Sequence, residues 1–131
     1  MNNVVLDKSF NFAIRIVKLC KYLQSKHNDY SLCKQLFRSG TSIGANIAEA
    51  QQAQSTADFV SKLSIALKES SETDYWLRLM YATEYLSQKE YASLIADCIE
   101  LEKLLVSIIN TSKNRINCPL SIFNCQLFYR R

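Results

Sequence analysis

The sequence predicts an all-α chain, and three observations predict it. Two glycines and one proline in 131 residues are too few for the many turns of an all-β protein. Apolar residues recur at helical spacing through four long blocks. Cap-forming residues separate those blocks, with a complete capping box before the last. Short connections then imply an antiparallel up-down-up-down four-helix bundle. Hydrophobic content of 48% supports a real core within one domain.

The first helix is predicted over Asp7 to Ser25. It has two apolar faces, one of Phe10, Ala13, Ile14 and Val17, the other of Phe12, Ile16, Leu19 and Leu23 with Cys20 between them. That arc exceeds half the circumference, more than one packing partner covers in a small bundle. The remaining strip is Lys8, Asn11, Arg15, Lys18 and Tyr22. His27-Asn28-Asp29 breaks the pattern, and Ser31 is placed as the N-cap of a second helix from Leu32 to Gln52.

Both glycines fall in this second helix, four residues apart. Leu36, Gly40, Ile43 and Ile47 share one face, and Thr41, Gly44, Ala45 and Ala48 form an adjoining stripe of small side chains. A glycine inside a helix costs ~1 kcal/mol relative to alanine, and close approach of another helix is the usual offset. Arg38, Ser42, Ala45 and Glu49, flanked by Asn46, lie opposite the apolar face. They read either as polar glue that fixes register or as a binding patch.

Ser55-Thr56-Ala57-Asp58 opens a third helix, predicted to reach Tyr85, with Phe59, Leu63, Ala66, Leu67, Leu77 and Tyr81 inward and Ser70 and Asp74 interrupting. Ile65, Trp76 and Leu79 lie on another face, where a tryptophan calls for cover. Ser87-Gln88-Lys89-Glu90 is a full capping box, with Leu86 and Tyr91 placed as its hydrophobic staple. The fourth helix, Gln88 to Thr111, carries Tyr91, Leu94, Cys98, Leu101, Leu105 and Ile108 on a heptad-like seam. Pro119 stops helical continuation. Residues 1–113 thus form the bundle, and 114–131 form a basic, aromatic tail that is either disordered or docked on a groove. The surplus apolar faces of the first and third helices predict a closed oligomer.

Net charge is +4, unevenly spread. Residues 1–38 carry seven basic and two acidic residues, 39–112 carry five and ten, and 113–131 carry four and none. The basic first helix, through Lys8, Arg15 and Lys18, is the candidate contact for RNA or DNA; the acidic middle favours a protein partner. Five cysteines without zinc-like spacing fit reduced thiols in a cytoplasmic protein. Met1-Asn2-Asn3 is no basic signal-peptide start, and no apolar run nears the ~20 residues that span a bilayer.

No catalytic constellation emerges, so the chain is expected not to be an enzyme and to need no cofactor or metal. Cys20, His27 and Cys33 lack a fourth zinc ligand. Glu69, Glu72, Asp74, Glu100 and Glu102 lack the Glu-x-x-His companions of di-iron bundles. Gly40-Thr41-Ser42-Ile43-Gly44 lacks the lysine of a phosphate-binding loop.

Arg38-Ser39-Gly40-Thr41-Ser42-Ile43-Gly44-Ala45-Asn46-Ile47-Ala48-Glu49-Ala50, followed by the block from Asp58 to Arg78 with its Trp76-Leu77, resembles a bacterial four-helix-bundle family. Some members are encoded in intervening sequences of large-subunit ribosomal RNA genes, and the accessory variability proteins of diversity-generating retroelements are similar. The resemblance covers residues 8–113. It implies a homopentamer without known enzyme activity. For the retroelement members it implies a basic, barrel-like pentamer that binds nucleic acid and a reverse transcriptase. The function expected is a non-catalytic oligomeric scaffold or accessory protein with weak nucleic-acid association; the alternative is a protein-binding structural module with no nucleic-acid role. Arg38, Gly40, Ser42, Gly44, Asn46, Glu49, Ile65, Trp76 and Leu79 are the candidate oligomer or helix contacts.

Overall fold

The computed structural model describes residues 3–28 and 30–117. These residues form four α-helices: α1 Val4–His27, α2 Ser31–Ala50, α3 Thr56–Ala82 and α4 Gln88–Asn117. Among the described residues there is no strand, and no helix is long and apolar enough to cross a membrane.

Capping chemistry sets most of the boundaries. Asn3 caps α1 by accepting from the Leu6 amide at 3.2 Å, so α1 starts about one turn earlier than its apolar pattern suggests. Asn28 closes it in the left-handed region at φ 54°, a conformation asparagine tolerates better than most residues. Ser31 is not the N-cap of α2 but its first helical residue; Tyr30 holds the cap position without a side-chain bond. The regular helix ends at Ala50, and Gln51 and Gln52 form a turn. Ser55 caps α3, accepting from the Asp58 amide at 3.0 Å.

Helix α3 stops at Ala82, three residues before the predicted end. Glu84 adopts φ 69°, the Tyr85 amide reaches back to the Met80 carbonyl at 2.8 Å, and the Glu84 amide reaches the Tyr81 carbonyl at 3.1 Å. This is a Schellman closure with glutamate where glycine is usual. The capping box before α4 is reciprocal, with Ser87 N–H to Glu90 Oε1 at 2.8 Å and Glu90 N–H to Ser87 Oγ at 3.1 Å. Leu86 beside it is buried and Tyr91 half-buried. Helix α4 runs to Asn117, six residues past its predicted end at Thr111. The rest of the predicted tail, with Pro119, lies outside the described residues.

One apolar core joins the four helices. Its fully buried large side chains include Phe12, Ile16 and Leu23 from α1, Leu36, Ile43 and Ile47 from α2, Leu63, Leu77 and Met80 from α3, and Leu101 and Leu105 from α4. Between α1 and α2, Ser9 faces Gly44 and Ile16 faces Gly40, while Cys20 Sγ reaches the Cys33 carbonyl at 3.6 Å. Residue numbers rise along one helix and fall along the other. The same holds for Ser39 with Thr73 and Glu49 with Lys62 across α2 and α3, and for Ser71 with Glu102 and Tyr81 with Tyr91 across α3 and α4.

The α3 stripe differs from the sequence reading. Val60, Leu63, Ala66, Ser70, Thr73, Leu77 and Met80 are buried; Phe59 and Leu67 are half-buried and Tyr81 is exposed. Ser70 therefore belongs to the core rather than interrupting it. Small hydroxyl residues sit in the core wherever helices approach closely and their hydroxyls find a local carbonyl. Ser9 donates to Leu6 O at 2.9 Å, Ser70 to Leu67 O at 2.7 Å and Thr73 to Glu69 O at 2.8 Å. Such bonds remove the penalty for burying a hydroxyl. On α4 the seam drifts at its end, where Ile109 is buried and Ile108 only half-buried.

Candidate functional site

The α2–α3 face carries most of the residues singled out by sequence. Arg38 on α2 reaches across to two carboxylates on α3: Nη1 lies 3.2 Å from Glu69 Oε1, and Nη2 pairs with Glu72. Glu72 also accepts from the Trp76 indole N–H at 2.9 Å. Its carboxyl is held below the usual carboxylate range, chiefly by the Arg38 guanidinium and then by the indole. Two turns from Glu69 along α3, Lys62 pairs with Glu49 at 3.1 Å.

The arginine is suited to this place because its planar fork serves two carboxylates at once. Ser42 and Asn46 do not cross to a neighbour. Ser42 Oγ bonds to the Arg38 carbonyl at 2.5 Å and Asn46 Nδ2 to the Ser42 carbonyl at 2.8 Å. Ile65 is exposed on this face, and Trp76 and Leu79 are half-buried. Tyr75 meets Trp76 edge to face, ring centroids 5.0 Å apart.

The glycines face the other way, onto α1. A Cβ at Gly40 would stand 2.9 Å from Ile16 Cγ1 and 3.0 Å from Cγ2; one at Gly44 would stand 3.3 Å from the Ser9 carbonyl oxygen. Close approach of α1 therefore accounts for both, and they lie apart from the Arg38 cluster.

The basic strip of α1 is partly neutralised. Lys8 pairs with Glu100 at 3.2 Å and Arg15 with Asp97 at 2.6 Å; Arg15 also donates to Ser93 Oγ at 2.8 Å. Lys18 is exposed and meets no carboxylate among the described residues. Sequence reasoning found the cations but not their partners, which lie more than eighty residues away on α4. Of the two apolar faces of α1, the one with Phe12, Ile16 and Leu23 forms the core. Phe10, 65% exposed, and Ile14, 38% exposed, lie on the face outside it.

Among the described residues no group of three or more His, Cys, Asp or Glu is placed to hold a metal ion. Cys20, Cys33 and Cys98 are buried, and burial pushes the Cys20 and Cys98 thiols up to about 12. His27 is exposed and packs against Tyr85, ring centroids 4.9 Å apart. Of the clustered carboxylates, Asp74 is paired with Arg78 at 3.1 Å. Glu102 accepts from Ser71 at 3.3 Å, and its carboxyl is raised by burial and by Asp74.

Four helices around one apolar core, ion clusters tying neighbouring helices and apolar residues left outside define a small helical-bundle protein. The match to the 23S rRNA-intervening sequence protein model over residues 1–107 shows that the chain belongs to that family. It is similar to a solved structure from Bacteroides thetaiotaomicron VPI-5482, described as a protein of unknown function from the S23 ribosomal protein family. Identity is 56%, the match covers 80% of this chain and 97% of that one, and the TM-score is 0.79. A comparison with curated proteins finds no match.

Proposed function

We propose that this chain is a non-catalytic, homo-oligomeric scaffold or accessory protein, an antiparallel four-helix bundle that assembles as a pentamer in the cytoplasm and associates weakly with nucleic acid. The observation that carries the assembly is the outer face of α1, where Phe10 and Ile14 lie in solvent beside half-buried Val17. Full burial of such a side chain contributes ~1.5–3 kcal/mol, which a second copy would recover. Ile65 and Tyr75 are exposed apolar side chains on α3, separate from the α1 face. The opposed residue numbering of each helix pair supports the antiparallel arrangement, and closed symmetry is the common outcome of self-association. The number five follows from the family resemblance, as does a reverse transcriptase as a kind of protein partner.

Nucleic-acid association draws on the resemblance to the nucleic-acid-binding retroelement proteins and on the basic α1. With Lys8 and Arg15 engaged by Glu100 and Asp97, the contact falls to the Lys18 end of the helix. That same pairing favours the second reading, a protein-binding module with no nucleic-acid role. Two measurements test these readings. Phe10→Asp with Ile14→Asp should lower the oligomeric mass while keeping helicity; an unchanged mass would overturn assembly through α1. Wild-type protein should bind RNA at low salt and lose it steeply as salt rises; no binding at low salt would leave the protein-binding module.

A further inference from the structure

The C-terminal end of α1, the end of α3, the α3–α4 connection and the start of α4 line an open cavity of about 510 Å³. Its walls are aromatic, with Tyr22, His27, Tyr81 and Tyr85 among the lining residues. Leu23 and Leu86, both buried, also line it. Tyr81 is itself braced, stacked on Tyr91 with ring centroids 4.6 Å apart. Tyr22 and Tyr81 remain 49% and 39% exposed, so their rings are open to a ligand.

Charge around this cavity is mixed but ordered. Lys26 Nζ donates to the Tyr22 hydroxyl at 3.2 Å and lies 5.5 Å from its ring centroid. Lys18 lies one helical turn before Tyr22 on the same strip. The Glu90 carboxylate is committed to the capping box at Ser87. Glu84, in its left-handed backbone conformation, supplies the other carboxylate of the lining.

We infer that this cavity takes an unpaired base of a single-stranded nucleic acid, stacked on Tyr22 and Tyr81, with the neighbouring phosphates on Lys18 and Lys26. The inference rests on the nucleic-acid reading above and gives it a place and a substrate class. Every base offers a π face, so stacking on tyrosine tolerates sequence, and lysines beside the rings track the backbone. A duplex base is already stacked and paired and cannot enter. Glu84 can accept from an exocyclic amino group, so adenine, cytosine or guanine is preferred to uracil. A basic peptide would also meet aromatic faces and Glu84, but Lys26 in the lining, with Lys18 one turn before Tyr22, repels it.

The test is fluorescence anisotropy of the full chain with labelled oligo(A), oligo(U) and an RNA duplex of equal length, at low salt. Oligo(A) should bind most tightly. Tyr22→Ala and Tyr81→Ala should each weaken it about tenfold, whereas Tyr22→Phe, which keeps the stacking face, should stay within about twofold of wild type. Circular-dichroism melting confirms that the variants fold; Tyr22 is exposed, so its alanine variant carries the test if Tyr81→Ala unfolds. If Tyr22→Ala binds oligo(A) as wild type does while Lys18→Glu loses it, the cavity is overturned and the nucleic-acid reading survives. If wild type binds no RNA, both fall. An arginine-rich peptide that binds in a Tyr22-dependent way, where oligo(A) does not, would reassign the cavity to a protein partner.

Discussion

Gly40→Ala is the sharpest probe of the α1–α2 contact, because two effects of similar size oppose each other. Replacing an interior helical glycine with alanine should stabilise by ~1 kcal/mol through propensity alone. Against this, the new methyl would stand 2.9 Å from Ile16 Cγ1 and 3.0 Å from Cγ2. Ile16 is fully buried and β-branched, with one strongly preferred rotamer in a helix, so it cannot swing aside. Overpacking of this kind costs ~1–3 kcal/mol. The net expectation is destabilisation of about 1 kcal/mol, a fall in melting temperature of roughly 3–6 °C for a chain of this size. Thermal melting and urea titration read it. Ile16→Ala removes both clashing atoms, so in that background Gly40→Ala should become neutral or stabilising, a coupling visible in a double-mutant cycle. Gly44→Ala should cost less, since its nearest atom is the Ser9 carbonyl oxygen at 3.3 Å. If Gly40→Ala melts higher than wild type, Ile16 is not held against α2 and the packing argument fails.

Three further outcomes follow from the same structure. Arg38→Lys should destabilise almost as much as Arg38→Met, by about 1 kcal/mol, because one ammonium cannot serve Glu69 and Glu72 in two directions; full rescue by lysine in urea titrations would refute the bridging role. Glu84→Gly should stabilise by ~0.5–1 kcal/mol, since glycine adopts φ 69° without strain; a lower melting temperature would mean the carboxylate matters more than the backbone. Glu102 is raised in the folded state by burial and then by Asp74, so the folded chain binds its proton more tightly than the unfolded chain does. Its ionisation therefore costs stability as pH rises above the unfolded value of about 4.3. Glu102→Gln should gain up to about 0.5 kcal/mol at pH 7 and nothing below that unfolded value, as melting across pH would show; a gain that persists in acid would point to another cause.

Much of the architecture was legible because local chemistry dictated it. The Ser87–Glu90 box and the Ser55 cap form as their spacing requires, and the glycine pair does mark a close helix contact. The phase of α3 was harder to read. Apolar residues sit on two sides of that helix, so Phe59 and Tyr81 competed with Val60 and Met80 for the core. Residue type also misled, since Ser70 reads as an interruption yet is buried with its hydroxyl bonded to its own helix. The α1 strip was visible as Lys8, Arg15 and Lys18, but Asp97 and Glu100 meet it only through tertiary packing. The aromatic cavity left no periodic trace, since α1 and the end of α3 with its connection to α4 supply its rings from segments about sixty residues apart.

The central claim is that the apolar surface outside the core, Phe10 and Ile14 above all, is covered by further copies of the chain. Native mass measurement of the full protein at micromolar concentration tests it most directly, by light scattering after gel filtration or by native mass spectrometry. A single species at about five times the 15.1 kDa of one chain is expected, unchanged on moderate dilution. A species at the mass of one chain across that range would contradict it.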